Sequence, residues 1–236
     1  MSFELHASAA YLASASYVWD WGSVFNKDIG HLALIGLKYT LEVCGLSFLI
    51  GSTIGMAVAG LRLSHTPPFT QIAYIYTDFF RTTPALVQLI WVFYVVPVLF
   101  GIVLSPLVSG VVALSLNAGA FFAEVFRGGI ESIPRGQWDA AYVLGYRRRS
   151  TLARIILPQG LRQAFPATAN IFISLLKDSS LLSVIAVHEI TYQAQTQAAQ
   201  NFRPLELYTA LAVAYFLLTY PLSLTSSWLE KRFRVH

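Results

Sequence analysis

Apolar residues fall in five long blocks separated by polar stretches. The blocks cover residues 38–61, 84–104, 107–126, 164–187 and 205–228. Each is close to the ~20 residues a helix needs to cross the hydrocarbon core of a bilayer. The pattern predicts an all-α integral membrane protein of about five transmembrane helices. Residues 63–83 read as an amphipathic connector, and a short loop around Ser105-Pro106 separates the second and third blocks. A polar hairpin at 127–162 joins the third and fourth blocks, and a stretch rich in Gln and Ala, 188–204, joins the fourth and fifth. Residues 1–30 are mixed. Tyr17, Trp19 and Trp21 cluster near Asp20, and Tyr and Trp favour the water–lipid boundary. The start therefore reads as an interfacial segment rather than a span.

Composition agrees. Of 236 residues, 56% are hydrophobic and 12% charged, against about 25% charged in an ordinary soluble domain. One small soluble core could not bury four or five such blocks. Cys44 is the single cysteine, which rules out an intrachain disulfide and a cysteine-based metal site. The five histidines are scattered, with no pair at ligand spacing, so no metal site is expected. No Lys or Arg precedes Lys27, so the basic start of a cleaved signal peptide is missing.

The net charge of +4 is not a nucleic-acid footprint, because the basic residues sit in loops. Twelve of the sixteen lie in 62–83, the hairpin and the C-terminal tail. The positive-inside rule puts the hairpin and the C-terminus in the cytoplasm and the N-terminus outside. Five spans put the two termini on opposite sides, in agreement with the charge.

Gly51 and Gly55 form a small-xxx-small pair in the first block, a common packing face between helices in lipid. In the hairpin, Ser132 and Pro134 read as a helix start, and Gly145 as a left-handed stop. Ser150 reads as the cap of a second short helix ending at Pro158. The first hairpin helix carries the small residues Ala140, Ala141 and Gly145, framed by Trp138, Tyr142 and Tyr146. Short helices of this kind fit a groove on a partner.

The fourth block is interrupted near its middle by Lys177-Asp178-Ser179-Ser180. A charge at that depth costs about 2.5–3.5 kcal/mol or more. Neighbours in sequence do not share a helix face. The pair therefore sits on broken helix lining a cavity, or each charge has its own partner. Glu124 and Arg127 are candidate partners, with Gln88 and Asn117 adding neutral hydrogen bonds. Lys177, Asp178, Ser179, Glu124, Gln88 and Asn117 are thus candidates for a polar pathway. An internal salt-bridge network is the alternative; for Gln88, Asn117 and Ser115 so is plain helix packing, and for Glu124 with Arg127 an i,i+3 pair at the inner boundary. Arg62, with His65 and Pro67-Pro68, reads as the end of the first block.

Asp139-Ala140-Ala141, then Gly145, Ile155 and Leu157-Pro158, resembles the EAA signature of permease subunits of bacterial ABC importers, with Asp139 where the family usually has Glu. Phe80 to Leu89, Ala123 to Ile130 and Leu176 to Leu181 resemble the polar amino-acid subfamily. The resemblance spans about residues 32–232 and assigns 31–236 to one permease domain behind the 1–30 segment. It implies a type I fold in the inner membrane, a second permease subunit (identical or paralogous), a cytoplasmic ATPase dimer and a periplasmic substrate-binding protein. The hairpin would be the coupling element, with Asp139, Ala140, Ala141 and Gly145, beside Trp138 and Tyr142, docking on the ATPase. The implied function is ATP-driven import of a polar amino acid, or a derivative, by alternating access.

No Gly-Lys pair occurs in the chain, so it holds no P-loop. The chain is not expected to be an enzyme or to hold a cofactor, and ATP and Mg belong to the partner ATPase. A membrane-embedded enzyme would need a constellation such as HExxH or GxSxG, and neither is present. A channel or secondary transporter is the remaining alternative, although it would leave the hairpin without a purpose.

Overall fold

The computed structural model describes residues 17–24, 27–64 and 66–233. The expectations for residues 1–16, for His65 and for Arg234 lie outside them. After one 3-10 turn, Trp21–Ser23, eight helices follow. They are α1 (Lys27–Leu63), α2 (Phe69–Thr82), α3 (Ala85–Phe100), α4 (Pro106–Glu131), α5 (Arg135–Val143), α6 (Arg148–Ile185), α7 (Ile190–Asn201) and α8 (Pro204–Phe233).

Four of these, α1, α4, α6 and α8, are each long and apolar enough to cross a membrane. The expected second span is different. At 1.5 Å per residue α3 is only about 24 Å long, short of the ~30 Å core. It is joined to α2 through a bend of 108°. The amphipathic connector and the second block are therefore two arms of one broken element. Pro84 opens the second arm, where its missing N–H goes unused. The turn before α4 is as expected: Ser105 Oγ accepts the Val108 N–H at 3.3 Å and Pro106 takes the first helical position.

Helix α4 is the centre of the bundle, packed against α1, α2 and α6. Its contact with α1 depends on the two glycines. A Cβ at Gly55 would lie 2.3 Å from Phe122 Cβ and 2.9 Å from the Gly119 carbonyl oxygen, and one at Gly51 3.1 Å from Ala118 Cβ. The backbones can approach this closely only without side chains between them. Phe122, fully buried, then packs edge-on to Phe48 at 5.1 Å between ring centres. Helix α8 is the opposite case: few of its residues are fully buried, and it packs by one side on α6 and α7.

The hairpin differs from expectation at its second half. There is no separate short helix ending at Pro158. Helix α6 starts at Arg148 and runs straight through the proline. Residues Leu152–Ile156 widen into a π-turn, in which the Leu157 N–H reaches back to the Leu152 carbonyl. A proline lacks the N–H and crowds the carbonyl four residues earlier. Widening the turn gives that carbonyl room without ending the helix. Helix α3 repeats the device, with a π-turn at Trp91–Val95 just before Pro97. Ser150 lies inside α6, and Ser132 caps no N-terminus. Its hydroxyl bonds instead to the Gly129 carbonyl at 2.8 Å and to Gln163, tying the end of α4 to α6.

Candidate functional site

Two features stand out, a protruding knob and a polar cavity. The knob is α5 and the turn that closes it. Gly145 adopts φ +80°, a conformation that side chains with a Cβ resist. The Gly145 and Tyr146 N–H groups return to the Tyr142 and Ala141 carbonyls at 2.9 and 3.0 Å, the double bond of a Schellman-type stop.

Asp139, Ala140 and Gly145 are exposed, as expected. Ala141 is buried, and Trp138 packs inward against Ile130, Ile133 and Ile156. These two anchor the knob to the bundle, Ala141 buried and Trp138 partly so. Pattern reading also passed over Val143 and Leu144. With Tyr142 they are 74–84% exposed and form the apolar tip. Their signal was present: two bulky aliphatics beside a glycine stop in an otherwise polar loop.

The cavity, of about 600 Å³, lies where α4 and α6 face the α2–α3 bend. Arg81 and Thr83 line it from the bend, Asn117 and Phe121 from α4, and Asn170, Ser174, Lys177 and Asp178 from α6. Both charged neighbours therefore reach one cavity. Lys177 also borders a second hollow, about 460 Å³, with Ser180, Tyr208 and Tyr215. Neither Lys177 nor Asp178 makes a salt bridge among the described residues.

The helix is not unwound there. It tightens to a 3-10 helix over Ser179–Ile185. The hydroxyls of Ser179, Ser180 and Ser183 each donate to the carbonyl three residues back, at 2.7–2.8 Å. Such local bonds suit i→i+3 geometry. Ser179 is consequently fully buried and does not face the cavity.

Gln88 and Asn117 hold the bend. The Gln88 amide donates to the Phe80 and Thr83 carbonyls at 2.9 Å, and Asn117 donates to Gln88 Oε1 at 3.0 Å and Phe80 O at 3.1 Å. Gln88 is packed away from the cavity, while Asn117 also borders it. Ser115 is buried between helices.

Glu124 does not meet Lys177. Its carboxylate gathers three guanidinium groups: Arg62, Arg81 at 3.2 Å and Arg127 at 2.7 Å, and Arg127 also pairs with Glu131. Arg62 is buried and stacks 4.1 Å over the Tyr74 ring. The cluster ties the end of α1 to α2 and α4. The expected i,i+3 pair of Glu124 with Arg127 is present, whereas Arg62 was read only as the marker of a span's end.

Beyond the last turn of α6, Glu189 is fully buried and caps α7, accepting the Thr191 and Tyr192 N–H groups at 2.8 and 2.7 Å and the Tyr215 hydroxyl at 3.1 Å. Burial raises its carboxyl above the usual range despite these donors.

Residues 51–235 match the family described as the binding-protein-dependent transport system inner membrane component. The chain belongs to this family. It is 40% identical over 198 residues to the L-cystine transport system permease protein TcyB of Bacillus subtilis (strain 168), covering 84% of each chain. It is 34% identical over 218 residues to the glutamine transport system permease protein GlnP of Escherichia coli (strain K12), covering 92% of this chain and 99% of that one. Among solved structures, an amino acid ABC transporter crystallised with histidines superposes with a TM-score of 0.84 at 33% identity, over 92% of this chain and 100% of the other. The inward-facing MetNI methionine ABC transporter shares the fold, with a TM-score of 0.75 at 18% identity. The protein is thus a membrane-embedded ABC permease subunit, and permeases of this family work with separate ATPase subunits.

Proposed function

We propose that this permease carries a polar amino acid, or a derivative of one, from the periplasm to the cytoplasm. The cavity carries the reading. Arg81, Lys177 and Asp178 bring both signs of charge to one hollow in a largely apolar bundle. A zwitterionic cargo offers a carboxylate and an ammonium, and each needs an opposite charge once water is stripped away. The relatives named for cystine and glutamine support the same class. Two permease subunits, identical or paralogous, enclose the path. A periplasmic binding protein delivers the cargo, and ATP with Mg is bound and hydrolysed in a cytoplasmic ATPase dimer.

The knob is the docking element. Asp139, Ala140 and Gly145, with the apolar tip of Tyr142, Val143 and Leu144, enter a groove on the ATPase, as amphipathic helices do in partner grooves. Closure of the ATPases on ATP pulls the knobs together. Because α6 continues from the knob turn to Lys177 and Asp178 without a stop, the motion reaches the cavity along one rod.

Proteoliposomes holding the permease, its ATPase and its binding protein test the proposal. Uptake of an amino acid that needs ATP and is lost without the ATPase supports it. Uptake down a gradient with the ATPase left out overturns it in favour of a channel.

A further inference from the structure

The cavity and the Glu124 cluster share one side chain, Arg81. Its guanidinium lines the cavity and also contacts Glu124 Oε1 at 3.2 Å, an oxygen already taken by Arg62. Of the three arginines on Glu124, it is the farthest and the most exposed, at 41% against 5% for Arg62 and 26% for Arg127. It extends along the Phe121 ring, 5.9 Å from its centre.

Charge counting singles it out as well. Three guanidinium groups face two carboxylates, Glu124 and Glu131, leaving one positive charge in excess. Without Arg81 the cluster is neutral, and Glu124 keeps Arg62 on one oxygen and Arg127 on the other. The surplus cation is the one at the cavity wall. Asp178 stands on the α6 side of the same cavity.

We propose that Arg81 recognises the carboxylate of the cargo, and that Glu124 is the partner it leaves to do so. The proposal rests on the amino-acid reading above. Arg81 releases a shared oxygen, stays over Phe121 and gains a carboxylate of its own, where the planar fork can bind two oxygens. The cargo ammonium is then left to Asp178. Arg81 lies two residues before Thr83, in the bend whose carbonyls Gln88 and Asn117 hold. Its movement therefore loosens the tie among α1, α2 and α4 when cargo is aboard. Arg81 is thus a specificity residue and a sensor of occupancy together.

The test is uptake by the full complex in proteoliposomes, with radiolabelled L-cystine, L-glutamine and L-arginine, each against its α-carboxamide. The same binding protein is present throughout, so a change in acid-to-amide ratio belongs to the permease. Arg81→Gln is expected to lower that ratio at least tenfold, through KM more than kcat. Arg81→Lys, which keeps the charge but not the fork, is expected to restore part of it, and Glu124→Gln to raise it, because Arg81 then has no competing carboxylate. An R81Q complex with the wild-type ratio overturns the proposal, as does an E124Q complex whose ratio falls as that of R81Q does. If R81Q fails to assemble, R81K decides: its KM should rise for the acid and not for the amide, and equal changes in both count against the proposal. Asp178→Asn separates this from the cavity reading. Sensitivity to D178N with indifference to R81Q leaves the cavity standing and removes the switch. No uptake of any of the three acids by the wild-type complex removes both.

Discussion

Glu124 holds its surroundings together by satisfying cations that have few other partners. Arg62 is nearly buried, and removing its acid leaves a guanidinium without a counter-charge. Breaking such a pair costs about 3–5 kcal/mol. Glu124→Ala should therefore lower the melting temperature of the detergent-solubilised permease clearly more than Glu131→Ala, because Glu131 is half exposed. Asp178→Ala should behave differently: the complex assembles, and uptake falls about tenfold or more, measured as initial rate in proteoliposomes. Glu189 sets a pH dependence. Its carboxyl is raised in the folded state, so its contribution is complete below the unfolded value near ~4.3 and fades as pH rises through the folded value. Wild-type melting temperature should fall across that window, and Glu189→Gln should flatten the curve. At this scale the sequence disclosed types but not partners. The Glu124–Arg127 pair was legible because the two lie one helical turn apart. Arg62 lies 62 positions away and Arg81 across a bend, distances that no local spacing encodes.

Elements were more legible, because hydrophobic length and glycine spacing act locally. The blocks that became α1, α4, α6 and α8 follow directly from apolar runs, and Gly51 and Gly55 marked the α1 face that meets α4. Gly55→Ala should cost roughly 1–3 kcal/mol, since its Cβ would collide with Phe122 and with backbone; thermal unfolding in detergent measures it. What failed was the reading of prolines as stops. Pro158 leaves α6 intact because the turn before it widens, a solution that depends on the fold tying both ends of the rod. The same applies at Lys177-Asp178, where serine hydroxyls tighten the helix that the charges alone seemed to break. Knob substitutions belong here too. Leu144→Asp and Gly145→Asp should each leave the permease in the membrane and reduce recovery of the ATPase on pull-down about tenfold. The first acts by charging the tip, the second by straining the positive-φ turn.

For the whole molecule, the bundle is asymmetric: α4 is central, while α8 presents apolar side chains outward along its length. Four of the five expected spans could be read from the sequence. The bent pair of α2 and α3, and the cavity at their bend, could not, because a 108° change of direction leaves no mark in hydropathy. The π-turn in α6 has a further consequence. A π-turn holds one residue more than an α-helical turn needs. The rod from Arg148 to Asp178 therefore carries a built-in slack position. Shortening the chain by one residue inside 152–156, together with Pro158→Ala to permit plain winding, should leave the angular phase between its two ends untouched. The same shortening one turn further on would twist everything downstream by about 100°. Natural single-residue deletions along this rod, accompanied by loss of the proline, should therefore collect at that spot.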